Sequence, residues 1–185
     1  MKRDKVHSTL ERLAQRLNRE GIDYAIIGGM ALNIHGYNRV TQDVDVLLSK
    51  AGLEQFKQKC VGLGYVPSFP DAQKSYRDAE SSVPIEIITT GEYPGDGKPK
   101  PVVFPEPAFS SVEIEGLRVV KLEQLIELKL ASGLTASHRL RDLADVQDLV
   151  VLLKLPRELS NALDASVRAK YVELWSSAQE AYSGG

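Results

Sequence analysis

Two acids one pleat apart inside an apolar segment constrain this chain more than any other feature. In Val40-Thr41-Gln42-Asp43-Val44-Asp45-Val46-Leu47-Leu48 the pattern predicts a strand over 43–48. A period of two puts Asp43 and Asp45 on one face and turns Val44 and Val46 toward a core. Acids are depleted in strands, and like charges this close repel unless solvent or a cation separates them. Hard divalent cations take oxygen ligands, and Mg²⁺ is held by a few carboxylates together with substrate phosphates. Two readings stay open for this pair alone: a solvated strand that carries two acids, or part of a cation site.

Glu86 shifts the balance. It interrupts Pro84-Ile85-Glu86-Ile87-Ile88, a run otherwise apolar on both faces, as a strand inside a sheet would be. A carboxylate there needs either a buried Arg or Lys or a metal ion. A third carboxylate on a neighbouring strand is what a two-cation phosphoryl-transfer site requires. Upstream, Ile26-Ile27-Gly28-Gly29-Met30-Ala31-Leu32 reads as strand, glycine pair, then helix over 30–35. Glycines at such a junction let backbone N–H groups approach a phosphate at the positive end of a helix. Diglycine turns also join strands to helices with no ligand. The segment lacks the Lys-Ser/Thr of a P-loop and the third glycine of a dinucleotide fingerprint.

Around these segments the pattern predicts a mixed α/β core over 1–120 and a helical part over 121–185. Helices are expected over 4–20 and 52–63, and strands over 24–27, 75–78 and 84–89. A further strand should begin at Tyr65, and a hairpin should turn at Glu115-Gly116. Five of the nine prolines fall between Pro94 and Pro107, which predicts a surface loop without helix. Further helices follow over 121–132, 139–153 and 164–182, where Tyr171 and Trp175 read as packing residues. Of the 185 residues 43% are hydrophobic and 26% charged, enough for a core. The net charge of −2 argues against a dedicated polyanion-coating module. The lone Cys60 reads as a buried structural thiol. His7 reads as surface, and His35 as a partner of its helix's C-terminal dipole. With neither a membrane span nor a signal-peptide core in the pattern, the expected location is cytoplasmic.

Taken together, Ile27-Gly28-Gly29, then Asp43-Val44-Asp45-Val46, then Glu86 on a later strand resemble the nucleotidyltransferase superfamily of the polymerase-β type. The finer pattern resembles AbiEii-like nucleotidyltransferases, toxins of abortive-infection systems. It consists of Gly28-Gly29-Met30-Ala31-Leu32 followed by Arg39-Val40-Thr41-Gln42-Asp43-Val44-Asp45. Lys129-Leu130-Ala131 and Arg139-Leu140-Arg141-Asp142-Leu143-Ala144-Asp145 look like that family's later motifs. Here the alanine comes one position early, and Arg141 stands for a lysine. Glu86 stands where many relatives carry aspartate. The resemblance implies a short mixed sheet flanked by helices, with a C-terminal helical region closing a cleft. It implies Asp43, Asp45 and Glu86 as ligands of Mg²⁺ (or Mn²⁺), and Gly28, Gly29, Arg39, Thr41, Arg139 and Asp142 as nucleotide-binding residues.

Helical periodicity singles out Lys129 independently. Leu122, Leu125, Ile126, Leu128 and Leu130 define an apolar arc with Lys129 near its middle, and Glu123, Gln124 and Glu127 lie opposite. Three readings compete: a snorkelling side chain, an ion pair with Asp142, and a catalytic ammonium facing the acidic cleft. On the last, Lys129→Met should keep or raise stability and lose activity.

The leading function is transfer of a nucleoside monophosphate from an NTP to a hydroxyl. The acceptor could be an RNA end such as that of a tRNA, a protein side chain or a small molecule. A toxin role would bring a cognate antitoxin as partner. The alternative is a non-catalytic nucleotide-binding or antitoxin-like module of the same fold.

Overall fold

The computed structural model describes residues 2–183. Among them, seven strands form one mixed sheet in the order β3-β4-β5-β2-β1-β7-β6. The central pair is β1 (Tyr24–Ile27), buried along its whole length, and β2 (Val44–Leu48), which run antiparallel. β2 pairs in parallel with β5 (Pro84–Thr89), and β1 pairs in parallel with β7 (Leu117–Val120). β3 (Tyr65–Pro67) and β4 (Ser75–Asp78) extend one side, and β6 (Ser111–Ile114) forms the other edge. The mixed sheet flanked by helices is the architecture that the family resemblance implied.

Alternation decides which side chains enter the core. Val44, Val46, Ile85, Ile87 and Tyr76 share one face by register and are all buried. Phe56, on α3 (Lys50–Lys59), meets the rings of Tyr76 and Tyr65 at 5.2 and 5.4 Å between centroids. The first helix, α1 (Lys2–Glu20), buries Val6, Leu10, Leu13, Ala14 and Leu17 at helical spacing. It also ties down the turn after β4. Arg12 donates to Asp78 at 3.0 Å, and Thr9 and Ser81 share a hydrogen bond at 2.7 Å. Asp78 is desolvated, which pushes its carboxyl up. The Ser81 and Glu80 backbone N–H groups and the Arg12 guanidinium outweigh this and hold it below its usual value.

Several boundaries differ from the sequence expectation, some for a clear local reason. α3 starts at Lys50 because the Ser49 hydroxyl caps it by accepting from Gly52 N at 2.9 Å. It stops at Cys60, after which the chain doubles back to β3. Cys60 is buried, and burial pushes its thiol up, consistent with an inert packing role. The second helix, α2 (Gly28–Ile34), begins at the glycine pair itself. His35 follows it, but its ring reaches the Val120 carbonyl at 2.7 Å and so fastens the end of α2 to β7. Within the proline-dense stretch a single helical turn forms, α4 (Pro107–Ser110), because proline is tolerated in a first turn.

The chain divides into two compact units. One holds the sheet and comprises residues up to Gly91 together with Pro105–Lys121; the other comprises Glu92–Phe104 and the chain from Leu122 onward. The proline-bearing segment 92–104 thus belongs with the helices. That second unit contains α5 (Leu122–Thr135), α6 (Leu140–Leu152) and α7 (Ala165–Ser183), which pack on one another. Short 3₁₀ turns join them at Ser137–Arg139 and Arg157–Ala162. Tyr171 and Trp175 do pack here: the Tyr171 hydroxyl donates to Pro156 O and the Trp175 indole N–H to Leu155 O, both at 2.9 Å. Among the described residues no helix is long and apolar enough to cross a membrane.

Candidate active site

Strand register builds a polar row across three strands, ending against a fourth. Ser75 on β4 pairs with Glu86 on β5, Glu86 with Asp45 on β2, and Asp45 with Ile27 at the end of β1. Register partners share a face, so Ser75, Glu86 and Asp45 point the same way, opposite to the buried row of Tyr76, Ile85 and Val44. All three polar residues are half-buried. β2 begins at Val44, so Asp43 lies just outside the strand rather than within it.

The glycine pair closes against both aspartates. Gly28 has φ +65°, a left-handed conformation that L side chains rarely adopt, and a Cβ there would lie 2.0 Å from Asp45 Oδ2. A Cβ on Gly29 would lie 2.8 Å from the Thr41 hydroxyl oxygen. That hydroxyl donates to Asp43 Oδ1 at 2.7 Å. Asp45 thus rests on Gly28, and Asp43 is linked through Thr41 to Gly29. Ile27 supplies no side-chain cap to α2, so its first turn begins without one. Arg39 anchors the following loop, its backbone N–H donating to Asn33 Oδ1 at 2.6 Å.

Asp43, Asp45 and Glu86 offer six hard carboxylate oxygens, the donor type that Mg²⁺ and Mn²⁺ prefer. The missing side chain at Gly28 is what gives the Asp45 carboxylate its place against the backbone. By their donor chemistry the three carboxylates fit a hard divalent cation. Among the described residues no three His, Cys, Asp or Glu side chains are gathered closely enough to hold a metal ion as they stand. The Asp43 carboxylate is turned to Thr41, and Glu86 accepts through Oε1 from the Ser75 hydroxyl. Asp45 and Glu86 are register partners on β2 and β5, and the three carboxylates stand short of a closed ligand set.

Lys129 and Asp142 lie in the helical unit. Lys129 is buried, and its Nζ donates to Asp142 Oδ1 and Asp145 Oδ2, each at 2.8 Å. Ser132, one turn after Lys129, donates to Asp142 Oδ2 at 2.7 Å. Burial pushes the Asp142 carboxyl up; Lys129, the Ser132 hydroxyl and Arg139 outweigh it and hold that carboxyl below its usual value. Arg139 is exposed, with its Nη1 at 3.9 Å from Asp142 Oδ2. The ion-pair alternative for Lys129 is the geometry found, with a second acid added. Sequence reasoning passed over Asp145, Ser132 and Ser75. The first two were legible as helical neighbours, three residues from Asp142 and from Lys129 respectively. Ser75 had only its place on a short strand to mark it.

No protein-family model matches this chain, and no curated protein sequence matches it. Solved structures do. An antigenic nucleotidyltransferase-like protein from Paracoccidioides brasiliensis superposes with TM-score 0.54 at 18% identity, over 95% of this chain and 93% of that one. The antibiotic-resistance factor ANT(2'')-Ia superposes with TM-score 0.51 at 16% identity, over 100% and 96%. A second structure of ANT(2'')-Ia, in complex with adenylyl-2''-tobramycin, gives 0.50 at 14%, over 95% and 97%. This chain has the nucleotidyltransferase fold.

Proposed function

We propose that this protein is a nucleotidyltransferase that moves a nucleoside monophosphate from an NTP to a hydroxyl. The observation that carries the reading is the placement of Asp45 and Glu86 side by side on parallel strands, with the Asp45 carboxylate resting on Gly28. Asp43, Asp45 and Glu86 hold Mg²⁺ (or Mn²⁺), which when bound neutralises phosphate charge and polarises the α-phosphate. Gly28 and Gly29 offer backbone N–H groups to the triphosphate. Thr41 and Arg39 serve its phosphates from the loop before β2, the guanidinium offering a bidentate fork. Arg139 is the helical unit's candidate for a nucleotide phosphate, and Lys129 and Asp142 hold α5 against α6.

The acceptor oxygen attacks the α-phosphorus, its proton passes to Glu86, and pyrophosphate leaves. A small hydroxylated acceptor is favoured by the fold neighbour bound to adenylyl-2''-tobramycin. An RNA-end or protein acceptor, a toxin role and a cognate antitoxin rest on the resemblance of Gly28–Leu32 and Arg39–Asp45 to AbiEii-like toxins. Incubation with each α-labelled NTP and Mg²⁺, offered total RNA, total protein and aminoglycosides in turn, tests the reading. Label should move to one acceptor class and vanish in Asp45→Asn. Nucleotide binding without transfer to any class would instead make the chain a non-catalytic nucleotide-binding module.

A further inference from the structure

Glu86 has a partner that the proposed chemistry does not require. Ser75 sits on β4 directly across from Glu86, and its hydroxyl donates to Glu86 Oε1. The strand that carries it is anchored on several sides. Tyr76, the next residue, is fully buried against Phe56, and its hydroxyl donates to Gln73 O at 2.9 Å. At the strand's end Asp78 is fixed by Arg12 and by the backbone N–H groups of Glu80 and Ser81. A hydroxyl on so constrained a backbone can hold a carboxylate in one rotamer. Thr41, beside Gly29, makes the corresponding bond to Asp43.

We propose that Ser75 is a positioning residue for Glu86. Resting on the nucleotidyltransferase reading, the proposal is that the Ser75 hydroxyl engages Oε1 so that Oε2 faces Asp45 and the acceptor. A glutamate carboxylate swings about three side-chain torsions, so a fixed hydroxyl partner narrows the positions it samples. A carboxylate left to sample several rotamers must be ordered when the cation binds, and that ordering entropy weakens binding. Partners that orient ligating groups carry effects of roughly 10–100-fold when removed.

The test compares Ser75→Ala, Ser75→Thr and Glu86→Gln in the label-transfer assay, with Mg²⁺ titrated at saturating NTP. Ser75→Ala should lower kcat by about tenfold and raise the Mg²⁺ concentration needed for half activity, with the NTP KM and the thermal midpoint unchanged. Ser75→Thr, which keeps the hydroxyl, should recover most of the rate. Glu86→Gln should be far more severe than either. Wild-type kcat and Mg²⁺ dependence in Ser75→Ala would overturn the positioning role while leaving the transferase reading intact. Equal loss in the alanine and threonine variants, with a lowered thermal midpoint, would make Ser75 a packing residue and overturn it as well. Absence of transfer by the wild-type protein would count against the underlying reading itself.

Discussion

Asp43 and Glu86 are held by hydroxyls, those of Thr41 and Ser75, whereas Asp142 and Asp145 are held by the ammonium of Lys129. The first two acids are half-buried beside the glycine pair or on the sheet; Asp145 is 1% exposed between packed helices. A hydroxyl orients a carboxylate without cancelling its charge, so the pair held this way keeps its attraction for a cation. An ammonium cancels the charge and makes burial tolerable. On the proposed reading, the same residue type is thus left available for ligation in one unit and is consumed by packing in the other. Four mutational outcomes would sharpen or break this contrast.

The largest effect is expected on catalysis. On the proposed reading Asp45→Asn removes a cation ligand but little packing, so transfer should fall by roughly a hundredfold to a thousandfold. Its melting temperature should stay at the wild-type value or rise. A large drop in thermal stability with transfer retained would place Asp45 among the structural acids.

The next effect belongs to the helical unit and concerns stability. Sequence reasoning expected Lys129→Met to keep or raise stability, by exchanging one buried charge for a thioether. With Asp142 and Asp145 both bound to that charge, the expected sign reverses. The variant leaves two buried acids facing each other and should lose about 3–5 kcal/mol in urea unfolding. Replacing all three residues by apolar ones of similar volume should recover much of that loss.

A smaller loss is expected from Gly28→Ala. The backbone there is left-handed and the new methyl would strike the Asp45 carboxylate. A cost of about 1–3 kcal/mol follows from the strain, together with loss of NTP binding measurable by calorimetry. Gly62→Ala is a control for strain alone, since a Cβ at that left-handed glycine meets open space.

The smallest effect is a pH dependence. Asp142 is held below its ordinary carboxyl value of 3.8, so it favours the folded state while ionised. That contribution is present above 3.8 and is lost as pH falls through the lower folded-state value. Urea unfolding from neutral to strongly acidic pH should therefore show a shallower loss of stability in Asp142→Asn than in the wild type. An unchanged slope would remove Asp142 from the ion network.

Most of the sheet was legible because its strands are written in local alternation: 24–27, 75–78 and 84–89 are found where the pattern put them. Asp45 and Glu86 were each marked by interrupting an apolar run, but it was the family resemblance, and not the pattern, that brought them to one site. Boundaries set by capping were less legible. The Ser49 cap and the reversal after Cys60 moved α3 by a few residues, and the glycine pair joined α2 instead of preceding it. Partners remote in sequence were not legible at all. Ser75 meets Glu86 only through strand pairing, and the apolar arc around Lys129 gave its burial without naming Asp145. Segment 92–104 read as a loop of the sheet because its prolines say nothing about which unit it packs with.

The contrast between the two groups of acids is tested most directly by measuring α-labelled NTP transfer and thermal unfolding together for Asp45→Asn and Lys129→Met. Transfer is assayed well below either melting temperature. The account predicts that Asp45→Asn melts like the wild type and transfers almost nothing, while Lys129→Met melts lower and, while folded, transfers at close to the wild-type rate. Full stability with lost transfer in Lys129→Met, or retained transfer in Asp45→Asn, would contradict it.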